Sequence, residues 1–119
     1  MKISVERNDI VASLAIAQGI ADKRSTVPIL SHVLIEATDS AAVISATDQE
    51  IGVKQSCVAD VATAGSIAIN AAKLYAIAQA CSDPITLEGS DARVEIASGK
   101  SRWKLNCLSA MDFPTMPKA

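Results

Sequence analysis

The chain has 119 residues, of which 50% are hydrophobic and 3% are aromatic, and its formal net charge is −2. This length fits one compact domain with a core of Val, Ile, Leu and Ala. A net negative charge excludes a general attraction to nucleic acid, so any phosphate contact must come from a local cluster of Lys and Arg. No apolar run has the length of a signal peptide or a membrane span, which predicts a soluble cytoplasmic domain that does not contact the membrane.

The first half of the chain predicts a strand, a helix and three further strands. Apolar and polar residues alternate over 3–7, which is typical of a strand. Asn8-Asp9 predicts a helix cap, and the helix then continues to about Ile20. Polar turns at 38–40 and 48–50 separate three strands, which we expect over 29–37, 42–47 and 51 to about 61.

The second half predicts the same order. A strand over 66–69 leads to Asn70 as a cap and to a helix over 71–81. Three strands follow, over 85–88, 93–97 and 102–108, with turns at 89–91 and 98–100. The tetrapeptide Ala-Ile-Ala-Gln occurs in both helices, at 15–18 and 76–79. We therefore predict an α+β fold from a duplicated β-α-β-β-β unit, with both helices on one face of an antiparallel sheet.

The residue types that carry catalysis or bind metals form no motif. The three cysteines are widely spaced without a CxxC or CxxH pair, so we expect free thiols and no zinc site. His32, the single histidine, has no cysteine or carboxylate at ligand spacing. Neither a GxSxG elbow nor a glycine-rich phosphate loop is present. We predict no catalytic residue, no metal site and no cofactor.

Acidic residues in the predicted turns leave one enzymatic alternative open. They are Asp39, Asp48, Glu50 and Asp91. Turn chemistry explains them, because an Asp side chain accepts hydrogen bonds from nearby backbone N–H groups. An enzyme domain would require these carboxylates to converge in a pocket.

The last predicted strand has a basic side and an apolar side. Lys100, Arg102, Lys104 and Asn106 alternate with Ser101, Trp103, Leu105 and Cys107. Basic residues in this pattern either protect an exposed sheet edge from aggregation or meet an acidic partner. A second alternative is therefore a small dimerisation or peptide-binding module that uses this strand by edge addition.

Four segments in chain order resemble one family. Residues 1–7 are similar to its opening strand, and 24–31 (Arg-Ser-Thr-Val-Pro-Ile-Leu-Ser) to the segment between its first helix and second strand. In that segment Val27 replaces the usual Leu or Ile, and His32, just after it, stands where Asn is common. Residues 45–50 resemble a Thr-Asp-Leu-Glu turn, and 110–114 resemble the Asp-Phe-Pro sequence that closes a first domain. The family is the bacterial DNA sliding clamp, the beta subunit of DNA polymerase III, and the match is to its amino-terminal domain.

The resemblance implies a single clamp domain over 1–119, the first of three in an intact protomer, with the second and third absent. It implies a processivity factor without catalysis of its own. Two protomers would close head to tail around duplex DNA without reading its sequence and tether the replicative polymerase. Polymerase and clamp-loader peptides bind between the second and third domains in this family, so these partners are expected only through domains that are absent here.

The resemblance also implies two groups of site residues. Arg24 matches a DNA-contacting position on the loop after the first helix, and Lys23 is its neighbour. The last strand would pair with the third domain of a second protomer. The implied interface residues are ionic at Lys73, Arg93, Lys100 and Arg102 and apolar at Trp103 and Leu105. The helices depart from the family in carrying little positive charge, so we expect the isolated domain to bind DNA barely or not at all.

Overall fold

The computed structural model describes residues 1–20, 31–47, 52–82, 84–90 and 93–108. Their order is strand, helix and three strands, twice over, as predicted. The elements are β1 (Lys2–Val5), α1 (Arg7–Ile20), β2 (His32–Thr38), β3 (Ala41–Thr47), β4 (Gly52–Thr63), β5 (Gly65–Asn70), α2 (Ala71–Ala80), β6 (Ile85–Ser90), β7 (Arg93–Ser98) and β8 (Ser101–Asn106). Within these residues, no helix is both long enough and apolar enough to span a membrane.

The two halves of the chain interlock in one sheet. The described strands lie in the order β5-β2-β3-β4-β1-β6-β7-β8, and every pairing is antiparallel. Each half forms a meander, β2-β3-β4 and β6-β7-β8. The leading strand of each half pairs with the meander of the other half, β1 with β6 and β5 with β2. Neither half can therefore complete its sheet without the other.

One face of this sheet carries the core. Residues directly opposite each other on paired strands point to the same side. Buried Ile3 of β1 thus lies beside Leu87 of β6, and buried Ile35 of β2 beside Ile44 of β3. Both helices add to the same cluster, α1 through Ile10, Leu14 and Ala17, and α2 through Ala71, Leu74 and Ala78. Both helices consequently lie on one face, which confirms the predicted architecture.

Most predicted boundaries agree with the structure. Asn70 caps α2 as predicted, because its Oδ1 accepts from the backbone N–H of Lys73 at 3.0 Å. The predicted cap of α1 was wrong: the helix begins at Arg7, and Asp9 lies inside its first turn. Hydrogen bonding already starts at the Glu6 carbonyl, which accepts from the N–H of Ile10 at 3.1 Å.

The turn predicted at 89–91 was wrong at its first two residues, because β6 continues to Ser90. Gly89 is a buried residue of β6, and its N–H donates to the carbonyl of Met1 at 2.8 Å. The last strand ends at Asn106 instead of Leu108. The turn at 38–40 is confirmed, with Asp39 in the left-handed region at φ 53°.

The two halves meet at two corresponding seams. In the first half β4 is long, so that Gly52–Val58 pairs with β3 and 59–63 pairs with β1. The corresponding seam of the second half lies between β8 and β5. There the described residues form one bridge, between Leu108 and Ala68, with N to O distances of 2.9 and 3.1 Å.

Candidate interface at the terminal strand

β8 is the last strand in the order of the described strands and lies at an edge of the sheet. Along Ser101–Asn106, the described partner of β8 is β7 alone. The backbone groups on its other side can therefore accept a further strand. This placement agrees with the sequence prediction that the last strand forms an edge.

The outward side of β8 is basic. Arg102 and Lys104 are exposed, and both lie near Glu95 of β7. Arg102 Nη1 contacts Glu95 Oε1 at 3.1 Å, and Lys104 is directly opposite Glu95 in the ladder. The Arg102 side chain is 74% exposed, so this ion pair adds little stability and leaves the guanidinium accessible to a partner.

The inward side of β8 is apolar and incompletely covered. Trp103 lies opposite Ile96 and Leu105 opposite Val94, and both of these β7 residues are fully buried. Trp103 and Leu105 themselves are only half-buried, although they pack against the core. Apolar surface at a sheet edge favours association, because a partner would remove it from water.

The other predicted interface residues lie around the same edge. Arg93 is exposed at the start of β7, opposite Asn106, and Lys100 is exposed in the turn before β8. Gly99 permits this turn with φ 57°. Lys73 is exposed in the first turn of α2. The fold thus brings all six predicted residues to one end of the sheet, in a chain whose net charge is negative.

A cavity of about 230 Å³ lies between β5 and β8, beside the bridge from Ala68 to Leu108. His32, Asn70 and Lys73 line it on one side, and residues 105–108 line it on the other. We name it the seam cavity. Lys73 and Leu105 both line it. The family resemblance assigned both residues to the interface, but nothing in the sequence indicated that they lie close together.

Sequence reasoning missed two features of this region. Lys104 was not assigned to the interface, although its alternation with Trp103 and Leu105 was available as a signal. His32, Asn70 and Asn106 were not connected to it either, because their proximity depends on the approach of β5 to β8. No local pattern reports that long-range contact.

The described residues do not test the remaining site predictions. Lys23 and Arg24 lie outside them, as do Asp48, Glu50 and Asp91 of the acidic turns. Within the described ranges no three His, Cys, Asp or Glu residues are placed to hold a metal ion. The three cysteines are buried, and none of them forms a disulfide within the described residues.

Comparisons with known proteins agree with this geometry. Residues 1–117 match the family model described as DNA polymerase III beta subunit, N-terminal domain. The chain is 33% identical over 120 residues to the beta sliding clamp of Caulobacter vibrioides, covering 98% of this chain and 32% of that protein. It superposes on the sliding clamp structure from Bartonella birtlesii with a TM-score of 0.94 at 34% identity, covering 100% of this chain and 32% of that one. A Helicobacter pylori beta clamp bound to a DNA ligase peptide gives a TM-score of 0.94 at 31% identity, covering 100% and 34%. The chain thus spans about one third of the length of these relatives.

Proposed function

Because this chain belongs to the family of the DNA polymerase III beta subunit, as its N-terminal domain, we propose that it forms one arc of a DNA sliding clamp. Such a clamp is a ring that encloses duplex DNA and keeps the replicative polymerase on its template. The relatives carry the name beta sliding clamp, and they are about three times as long as this chain. That ratio supports a protomer of three such domains.

The proposed contribution of this chain is mechanical. It supplies a rigid curved unit and an edge for ring closure, and it has no catalytic step of its own. The interlocked halves suit this role, because tension on β8 is transmitted through the continuous sheet to β5 at the other end. As part of the replication machinery, the protein would act in the cytoplasm.

The single observation that carries the proposal is the open, basic edge strand. In a head-to-tail ring, β8 would add to a strand in the third domain of the second protomer. Lys73, Arg93, Lys100 and Arg102 would meet acidic residues there, while Trp103 and Leu105 would complete a small apolar core. The half-buried state of the two apolar residues is what such a shared core requires.

The DNA-facing surface is proposed to be the helix layer together with the residues that follow α1 in the sequence. The exposed helix positions are mostly small or neutral, such as Ala12, Ile16 and Ala76, with Lys73 near one end. Phosphate contacts from this domain would therefore come from Lys23 and Arg24. Contacts of that kind position a duplex without reading its sequence.

The proposed partners divide between this domain and the rest of the protein. This chain would contact DNA and the second protomer. Polymerase and clamp loader would bind through the second and third domains. The Helicobacter pylori relative is described with a DNA ligase peptide, which supports peptide docking as a general property of such rings.

A charge reversal in the full-length protein tests the interface. Arg102→Glu places a negative charge where an acidic partner residue is expected, so the dissociation constant of the dimer should rise at least tenfold. Sedimentation equilibrium measures that constant. Lys54→Glu is the matched control, because Lys54 is an exposed lysine on β4. An unchanged dissociation constant for Arg102→Glu would remove β8 from the interface.

A second experiment tests the ring itself. A clamp loaded on nicked circular DNA should resist high salt, because it is linked topologically, and should leave once the DNA is cut to a linear form. Electrostatic binding behaves differently, since it weakens steeply with salt on either form. Equal salt sensitivity on circular and linear DNA would contradict encirclement.

A further inference from the structure

A second sheet edge lies along the first part of β4. Residues 52–58 pair with β3, and the strand reaches β1 from residue 59 onward. On the other side of 52–58, the described part of the chain provides no paired strand. This stretch is the third strand of its meander, as β8 is in the second half. The duplication therefore gives the domain two equivalent edges, one at each end.

A second cavity lies at the seam beside the β4 edge. Its volume is about 300 Å³, and its lining includes the carboxylates of Glu6 and Asp60 together with Val58 and Pro84. Val58 is 76% exposed, so it is an apolar side chain that a partner could cover. This cavity corresponds to the seam cavity, because it lies where β1 meets β4, whereas the seam cavity lies where β5 approaches β8.

The two ends of the domain carry opposite charges. At the β4 edge, Glu6 and Asp60 are both exposed. Lys54 is exposed on the same strand, but it lies six residues from Asp60, which is roughly 20 Å along a strand. Exposed cations surround the β8 edge instead, namely Arg93, Lys100, Arg102 and Lys104. The charge at one end is therefore suited to attract the other end of a second copy of this chain.

The two edges also match face by face. Asp60 lies on the outward face of the sheet, opposite Ser4 of β1, and the basic side of an added β8 would lie on that face. On the inward face of β4, Val53 is half-buried against the core, as Trp103 and Leu105 of β8 are. Pairing the two edges would therefore bring opposite charges together on one face and apolar side chains together on the other.

We propose that β8 of one copy of this chain adds to residues 52–58 of a second copy, so that the isolated chain associates head to tail. Such a contact is heterologous, because each copy contributes a different surface, and it leads to rings or open chains. It rests on the proposed function in one respect, the use of β8 as a docking strand. What it adds is the surface that receives β8.

Sedimentation velocity of the isolated chain between about 10 μM and 1 mM tests this association. The weight-average mass should rise with concentration at low salt and should fall when added salt screens the opposite charges. A chain that stays monomeric up to 1 mM would overturn the proposal and would leave the next domain of the full-length protein as the occupant of the β4 edge. Association that does not respond to salt would contradict the charge complementarity.

The variant Asp60→Lys probes the receiving edge. It should raise the dissociation constant of self-association about fivefold, because an attraction at an exposed pair becomes a repulsion. Glu36→Lys is the matched control, since Glu36 lies on the same outward face, on β2, and both substitutions change the net charge from −2 to 0. The control should leave the constant within about twofold. Equal effects would assign the change to net charge and remove the β4 edge from the contact.

Mixing two variants tests the head-to-tail order. Arg102→Glu should also weaken self-association, because its β8 edge would repel Asp60. An equimolar mixture of Arg102→Glu and Asp60→Lys places opposite charges at every mixed junction, so association should recover to within about threefold of the unaltered chain. Recovery also shows that both variants are folded. If Asp60→Lys alone associates like the unaltered chain, or if the mixture associates no better than its components, the head-to-tail contact is wrong.

The dimer of the full-length protein separates failure of this contact from failure of the proposed function. If Arg102→Glu weakens that dimer while Asp60→Lys leaves self-association of the chain unchanged, β8 stands as a docking strand and the β4 edge falls. If Arg102→Glu changes neither the dimer nor the self-association, β8 is not a docking strand, and both proposals fall together.

Discussion

Cys57 and Cys107 are core residues whose chemistry is set by burial. They are 8% and 4% exposed. Burial raises the pKa of both thiols above the ordinary value of 9.0, and the negative charge of Asp9 adds a smaller rise for Cys57. In the sequence none of the three cysteines has a partner at ligand spacing, and in the structure all three are buried.

These raised pKa values make stability depend on pH in the alkaline range. These thiols have a higher pKa in the folded chain than in the unfolded chain. Their contribution to stability is therefore complete at a pH below the pKa of the unfolded chain, and it is lost as the pH rises through the pKa of the folded chain. The free energy of unfolding in urea should therefore fall between pH 8 and pH 10.5. The fall should be smaller in the Cys57→Ala/Cys107→Ala double variant, because the other titrating groups are common to both proteins. An equal fall would show that the thiols ionise similarly in both states.

Gly89 shows how a tertiary contact overrides a local pattern. Gly-Ser-Asp at 89–91 is typical of a turn, yet Gly89 lies within β6 against Ile67 of β5. A Cβ at Gly89 would lie 3.1 Å from both Cδ1 and Cγ2 of Ile67. The glycine is therefore needed for a close approach between β5 and β6, two strands that are not neighbours in the sheet, and no neighbouring residue in the sequence reveals this contact.

Gly89→Ala should destabilise the chain by about 1–3 kcal/mol, the usual cost of overpacking a core. Urea denaturation measures this difference. Repeating the substitution in an Ile67→Ala background provides the control, because both crowded carbon atoms are then gone and the added cost should nearly vanish. The same cost in both backgrounds would assign the effect to the backbone of β6 instead of to the contact.

At the scale of the elements, the Arg7 side chain of α1 forms hydrogen bonds with the carbonyl end of α2. Arg7, in the first turn of α1, donates from Nε to the Cys81 carbonyl at 3.0 Å and from Nη2 to the Gln79 carbonyl at 3.1 Å. Neither helix has a basic residue in its own last turn. Arg7 therefore provides from α1 the positive charge that the carbonyl end of α2 lacks.

Arg7→Met should lower the free energy of unfolding by about 1–2 kcal/mol, because two hydrogen bonds to free carbonyl groups are lost. The free energy of unfolding of Arg7→Lys should lie between those of the unaltered protein and Arg7→Met, because lysine keeps the positive charge but lacks the two-pronged donor geometry of arginine. Arg102→Met is the control, because its ion pair is exposed and should contribute little in the isolated chain. If Arg7→Met costs no more than Arg102→Met, the contact with α2 does not stabilise the fold.

Elements were predictable where local chemistry decides them. Asn70 caps α2 because it stands alone at the boundary between an apolar strand and an Ala-rich segment. The start of α1 was misplaced because Asn8 and Asp9 are good caps wherever they occur, while the helix actually begins at Arg7. The alternation of β8 predicted its two sides correctly. The seam cavity was beyond prediction, because His32 and Asn106 come to line the same space where β5 approaches β8, at the bridge between Ala68 and Leu108.

At the scale of the whole molecule, the duplicated unit forms a complete hydrophobic core and also presents β8 as a sheet edge. The strand exchange between the halves builds one core, because both helices contribute to the same cluster of buried residues. β8 lies at the end of the described strand order, so the domain presents a sheet edge to which a further strand can add.

The same reasoning predicts how the isolated chain behaves toward DNA. The exposed helix residues are mostly neutral and the net charge is −2, so few phosphates can be neutralised by one domain. Fluorescence anisotropy with a labelled duplex at low salt should show no binding at micromolar concentrations of the chain. A variant with lysine at Ala12 and Ala76, two exposed helix positions, is the positive control and should bind measurably. Micromolar binding by the unaltered chain would mean that contact, and not enclosure, holds this domain on DNA, and the mechanical role proposed here would then be wrong.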